Sequence, residues 1–213
     1  ETNVIPGFKL YRTPLVPQYV GGLFFNYKVN STSTFIPKID CQINTTLFSD
    51  RDLRLGFMYS FNASRYLASY WLGEALQPTT CMPLGTTYYN GSKLTRSFNL
   101  ATATAHFSAA WGGEVWGRGM VVPIVYSSGD TAAEVVAKML EDVIEHLVSW
   151  PAGVPVDIQP TGIPSATFVS EMNAGKLPVF ITSRIADFPD PHNWFMPFMH
   201  SQGRFAGSAQ NIT

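Results

Sequence analysis

Four stretches of the chain have the apolar spacing or the composition of α-helices, and each follows a residue that commonly caps a helix. The four caps are Asp50, Asn62, Asn99 and Asp130. The apolar stripe after Asp130 is the longest, running through residues 135–147 at a spacing of three and four. These positions predict four helices.

Short apolar runs between the helices predict β-strands, and Pro164 is placed to open one further helix that ends before Gly175. Pro123 lies within the second strand, which predicts an edge strand or a bulge there. The predicted strands cover residues 22–25, 120–126, 154–158 and 177–183. From residue 120 onward strands and helices alternate, which favours parallel strands joined by right-handed helical crossovers. The predicted fold class is α/β.

The sequence predicts one folded unit over residues 1–213. Four parts of it differ in composition and in predicted secondary structure. Residues 1–25 are extended and interrupted by proline, and residues 26–97 are helical and loop-forming. Residues 98–200 hold the regular strand and helix alternation, and residues 201–213 form a tail.

The composition excludes several classes of protein. Charged residues are 14% of the chain and the net charge is −1, which excludes an electrostatic nucleic-acid binder. The sequence contains no apolar run long enough for a membrane-spanning helix. An apolar content of 46% excludes a disordered chain.

The chain is rich in acceptor motifs for N-glycosylation, Asn-x-Ser/Thr. Its 10 Asn and 35 Ser and Thr predict about 1.6 such triplets by chance, and five are present. Asn62 is a poor candidate because its side chain is expected to cap a helix. The candidate acceptors are Asn30, Asn44, Asn90 and Asn211. The excess predicts an extracellular protein, and the two cysteines, Cys41 and Cys81, are compatible either with one disulfide or with two free thiols.

The most informative segment is Ala186 to Phe195, which follows the last predicted strand. Ligands of open α/β sheets bind beyond the carboxyl ends of the strands, so Asp187, Asp190 and His192 are placed for recognition. In the alternative interpretation the segment is a turn, and Asp190 caps a following helix. We expect Arg184 to pair with Asp187 or Asp190. The spacing matches no metal-binding motif, so we expect neither a metal nor a cofactor.

Several segments, in this order, resemble the extracytoplasmic solute-binding proteins of ABC importers, in the dipeptide and oligopeptide-binding family (family 5). Residues 49–78 resemble its D-x-R-v-R-q-A-l-x-y-A-i-D-R…G-x-A-x-P motif, with Gly56 and Asn62 replacing the usual Ala and Asp. Residues 98–112 are similar to its y-d-p-x-x-A-x-x-L-L-x-x-A-G segment. Residues 154–190 resemble its segment ending in w-x-a-D-y-p-D-P.

The resemblance implies a single lobe of a type II periplasmic-binding-protein-like fold, with a mostly parallel sheet flanked by helices. It implies a non-enzymatic receptor, a missing first lobe that closes over the ligand, permease subunits as partners, and a membrane-anchored extracellular location. Asp187 would receive the α-amino group of a peptide. Arg184 departs from the aromatic residue common in peptide binders, so an oligosaccharide ligand stays open. The predicted ligand contacts are Arg184, Asp187, Phe188, Asp190, His192 and Trp194.

Two other classes of protein stay open at this point. One is a metal- or carboxylate-dependent hydrolase centred on Asp187, Asp190 and His192, and the other is a glycosylated surface-layer domain without a small ligand. Because the resembling family is prokaryotic and N-glycosylation is uncommon in bacteria, the excess of acceptor motifs favours an archaeal protein.

Overall fold

The computed structural model describes residues 19–41, 43–92, 95–188 and 190–205, which form a four-stranded sheet covered by helices on both faces. The strands are β1 (Tyr19–Phe25), β2 (Met120–Ser127), β3 (Val156–Ile163) and β4 (Val179–Ile185). The helices are α1 (Arg51–Ser60), α2 (Ala63–Ser69), α3 (Leu100–Ala109), α4 (Glu114–Arg118), α5 (Thr131–Asp142), α6 (Ser165–Asn173) and α7 (His192–Met199). In this part of the chain, no helix is long and apolar enough to cross a membrane.

The sheet has the order β1-β4-β2-β3. Strand β2 pairs in parallel with both β3 and β4, whereas β1 runs antiparallel to β4. A mostly parallel sheet is therefore confirmed, with one antiparallel strand at its edge.

Alternation along the strands divides the core into two layers. Val122 and Ile124 of β2 point into the larger layer, which α1, α3 and α5 cover. Val125 and Phe180 point to the opposite face, where they pack with Phe168 of α6. Both faces of the sheet are thus buried, as expected when helices connect parallel strands.

All four predicted helix caps are present. The side chains of Asp50, Asn62, Asn99 and Asp130 each accept a hydrogen bond from the backbone N–H three residues later. Each bond satisfies one of the N–H groups that the first helical turn leaves without a partner.

The prediction for Pro123 and the predicted bounds of β3 were wrong. Strand β3 begins two residues later than predicted and continues through Pro160 to Ile163. It lies at the edge of the sheet, where a proline is tolerated. Pro123 lies instead in the interior strand β2, opposite Gln159 in an unbroken register.

The neighbours of β2 explain why Pro123 is accommodated. The backbone N–H and C=O of Val121 both bond to Lys38, and strand β4 joins the same side of β2 only from Ile124 onward. Backbone groups point alternately to the two sides of a strand, so position 123 faces the side on which the partner changes. Pro123 therefore lies where the hydrogen-bond ladder on this side of β2 is interrupted, between Lys38 and strand β4.

The structure contains no disulfide between Cys41 and Cys81, since both thiols are free. Cys41 packs against the larger core layer, and Cys81 packs against a separate cluster that contains Met82 and Trp194. Partial burial raises the pKa of the Cys81 thiol.

A glycine in α1 has a packing reason. A Cβ atom at Gly56 would lie 2.7 Å from the Cε1 atom of Phe107, whose fully buried ring occupies the space next to the helix backbone. The bulk of Phe107 therefore explains why glycine stands where the resembling motif has alanine.

We predict that Gly56→Ala lowers the free energy of unfolding by about 1–3 kcal/mol, because overpacking outweighs the gain in helix propensity of about 1 kcal/mol. In a Phe107→Leu background the same change should become neutral or stabilising. Urea unfolding followed by circular dichroism measures all four proteins of this cycle. A stabilising Gly56→Ala change in the parent chain would contradict the packing explanation.

Candidate functional site

The candidate site lies at the edge of the sheet where the parallel strands β2, β3 and β4 have their carboxyl ends. Residues 186–188 leave β4 at this edge, and residues 190 and 191 lead into α7. The position agrees with the expectation that this segment follows a strand at the ligand-binding edge of an α/β sheet.

Arg184, near the end of β4, holds the segment together through its guanidinium group. Its Nε donates to the backbone carbonyl of Asn193 at 2.9 Å. Its Nη2 donates to the side-chain oxygen of Asn193 and, at 3.1 Å, to the carboxylate of Asp187. The predicted pairing of Arg184 with an acidic residue of this segment is confirmed for Asp187.

Pro197 explains why the carbonyl of Asn193 is open to Arg184. In an α-helix that carbonyl would accept from the N–H four residues later, but residue 197 is a proline and has no N–H. The guanidinium replaces the missing donor. Helix α7 is thereby anchored to the end of β4.

Asn193 is the residue that sequence reasoning missed. It is 4% exposed, and its Nδ2 donates to the backbone carbonyl of Phe188 at 3.1 Å. It therefore joins the strand end, the segment 186–191 and α7. Two features of the sequence could have indicated this role. Asn193 lies four residues before Pro197, a proline within a helix, and nine residues after Arg184, which lies near the end of a strand.

The alternative interpretation describes the turn at Asp190 correctly, although the N-cap of α7 is Pro191 and not Asp190. The Asp190 side chain accepts a hydrogen bond from the backbone N–H of His192 at 2.8 Å. The Asp190 backbone carbonyl accepts one from the backbone N–H of Asn193 at 3.0 Å. Asp190 thus forms the turn that leads into α7, and its carboxylate is partly used in that turn.

The predicted ligand contacts differ in their access to solvent. The Asp187 side chain is 75% exposed, and the Arg184 side chain beneath it is 24% exposed. Phe188 and His192 are also exposed. Trp194 is 1% exposed and packs with Val20, Met82 and Ala186, so a ligand could reach its ring only if this packing opened.

Apart from the buried Trp194 and the partly buried Arg184, these side chains lie at the protein surface. A groove of about 390 Å³ runs along β1, but none of the predicted contacts lines it. Among the described residues, no group of three or more His, Cys, Asp or Glu side chains could hold a metal ion.

The exposed apolar residues are concentrated in two segments, one of which contains the site. Of the eleven large hydrophobic side chains that are exposed in the described residues, eight lie in two segments, 72–88 and 185–199. The two segments meet in one cluster, where Met82 packs with Ala186 and Trp194. Exposed apolar surface that is concentrated in this way is typical of a surface that contacts another domain or another molecule. The eight are Leu72, Leu76, Leu84, Tyr88, Ile185, Phe188, Phe195 and Met199.

An α/β lobe that presents an exposed carboxylate beyond a parallel strand fits one wall of a solute-binding cleft. The sequence profile described as "Bacterial extracellular solute-binding proteins, family 5 Middle" matches residues 6–206. The chain therefore belongs to this family of extracellular solute-binding proteins, whose members are non-enzymatic components of transporters. No curated protein matches the sequence.

Solved structures share this fold. The periplasmic binding protein DppA from Helicobacter pylori, in complex with the peptide STSA, has a TM-score of 0.58 and 16% identity over 84% of this chain. OppA from Listeria monocytogenes, bound to peptide, has a TM-score of 0.62 and 13% identity over 90% of this chain. NikA from Brucella suis, in complex with Fe(III)-EDTA, has a TM-score of 0.60 and 13% identity over 91% of this chain.

This chain spans only part of those proteins. It covers 31% of the DppA chain, 37% of the OppA chain and 37% of the NikA chain.

We predict that Asn193→Ala lowers the free energy of unfolding by about 1–3 kcal/mol, because Arg184 loses a side-chain acceptor in a buried setting. Asp187→Asn should change it by less than about 0.5 kcal/mol, since that side chain is mostly in water. Thermal and urea unfolding of the two variants provide the comparison. Equal losses in both would show that Asp187 is a structural residue.

Proposed function

We propose that this chain is the ligand-binding lobe of an ABC-importer solute receptor that captures extracellular oligopeptides. The observation that carries the proposal is the exposed carboxylate of Asp187, fixed by Arg184 at the carboxyl end of β4. Peptide complexes of DppA and OppA, which share the fold, support this ligand class.

Asp187 is suited to an ammonium group. Arg184 contacts only its Oδ2 atom among the described contacts, and the side chain is exposed, so Oδ1 is accessible to a ligand. A carboxylate and an α-ammonium form a short, charge-assisted hydrogen bond. That bond strengthens when a closing cleft removes water.

A second lobe would supply the closure. The exposed apolar residues of segments 72–88 and 185–199 lie in and beside the Asp187 segment, where a first lobe would meet this one. In the longer protein that we propose, hinge closure would bury this surface together with the ligand. Permease subunits of the importer and a membrane anchor on the receptor belong to the same proposal.

An oligosaccharide ligand is the second candidate, and Arg184 is the observation that favours it. The guanidinium neutralises part of the Asp187 charge, so the pair offers neighbouring donors and acceptors with little net charge. Such a pair suits sugar hydroxyls. The NikA complex with Fe(III)-EDTA further supports ligand diversity on this fold.

We predict that Asp187→Asn in the full-length receptor weakens binding of peptides with a free α-amino group by roughly 10- to 150-fold, the range for a hydrogen bond between charged groups. Isothermal titration calorimetry with a panel of short peptides measures this. N-acetylated versions of the same peptides should bind the wild type with a similar loss, and Asp187→Asn should no longer distinguish the two forms.

Asp190→Asn is the matched control. It removes an exposed carboxylate of the same segment but keeps an oxygen that can accept from His192. Its affinity for peptides should stay within about twofold of the wild type. Unchanged peptide affinity in Asp187→Asn would remove this residue from the site, and binding of oligosaccharides but of no peptide would establish the second candidate.

A further inference from the structure

The acceptor motifs for N-glycosylation fall into two structural groups. Asn30 and Asn90 are exposed, whereas Asn44 and Asn62 are partly buried within folded elements. Asn211 lies outside the described residues. A glycosyl-transfer enzyme must reach both the amide nitrogen and the hydroxyl residue of a motif, so the two groups differ in their access to the enzyme.

The two exposed motifs have the same local geometry. The side-chain oxygen of Asn30 accepts from the backbone N–H of Thr32 at 3.0 Å, and that of Asn90 accepts from the N–H of Ser92 at 2.9 Å. Each oxygen is therefore used inside its own turn. The Asn30 amide nitrogen donates a long hydrogen bond, 3.4 Å, to the carbonyl of Ala174.

In the other two motifs, the Asn side-chain oxygen bonds to a residue outside the motif. The Asn62 oxygen accepts from the N–H of Arg65 and caps α2, as the sequence predicted. The Asn44 oxygen accepts from the N–H of Ile39 at 3.0 Å, and residues 44–49 form a 3-10 helix. The carbonyl of Thr45, the middle residue of the Asn44 motif, accepts a hydrogen bond from the backbone N–H of Val29 at 2.8 Å. Presenting either motif to an enzyme would require these bonds to break.

We infer that the folded lobe carries N-linked glycans on Asn30 and Asn90 and none on Asn44 or Asn62. The donor would be a lipid-linked oligosaccharide. The amide nitrogen forms a bond to the anomeric carbon, the bond from that carbon to the lipid phosphate breaks, the phosphate leaves with its electron pair, and the nitrogen releases one proton. This inference depends on an extracellular location and not on which ligand binds.

The position of Asn30 is compatible with ligand binding. Its backbone N–H donates to the carbonyl of Gly175 at 2.9 Å, in the turn just before β4. Asp187 follows the other end of the same strand. A glycan on Asn30 would therefore extend from the opposite end of β4 and leave the candidate site uncovered.

Mass spectrometry of glycopeptides from the protein expressed in its own organism tests the inference, in an Asn211→Gln background that removes the fifth motif. Asn30→Gln and Asn90→Gln should each remove one glycan mass from the intact protein, whereas Asn44→Gln, the matched control, should remove none. Thr32→Ala should abolish the modification at Asn30, and Thr32→Ser should retain it. Unmodified Asn30 and Asn90 would overturn the inference, and so would a glycan on Asn44 or Asn62.

Discussion

The candidate site depends on the bonds between the Arg184 guanidinium and Asn193. Helix α7 is interrupted by Pro197, which leaves the Asn193 carbonyl without a helical donor, and Arg184 supplies that donor. The same guanidinium also contacts the Asn193 side chain and Asp187. Because the Asn193 side chain is buried, the strand end and the helix start cannot move independently without leaving polar groups unsatisfied.

This arrangement separates support from recognition. Asn193 and Arg184 lie largely beneath the surface, whereas the Asp187 carboxylate lies above it in water. Its bond to Arg184 restrains the carboxylate before any ligand arrives, which in the proposed receptor would lower the entropic cost of binding. In the proposed receptor, the partial neutralisation by Arg184 would have the opposite effect on an ammonium ligand, and the balance between the two effects would set the preference for peptide or sugar.

Local and non-local features differed in how well the sequence predicted them. The caps Asp50, Asn62, Asn99 and Asp130 were predicted correctly because each bond spans three residues. The position of Pro123 and the length of β3 depend on the order of strands in the sheet, which no local pattern contains. The Arg184–Asp187 pair lies within one turn of chain and was foreseen, but the contribution of Asn193 requires α7 to fold back onto β4.

The open character of the site has a physical consequence for affinity. A single charge-assisted hydrogen bond on a solvated surface is weak, since water screens it and competes for both partners. The exposed apolar residues of segments 72–88 and 185–199 lie in and beside the segment that carries Asp187, whose side chain is 75% exposed. Strong binding therefore requires a second surface that buries these residues and excludes water from the carboxylate. In the proposed receptor, the energy for lobe closure would come from this apolar surface, and the specificity would come from Asp187 and Arg184.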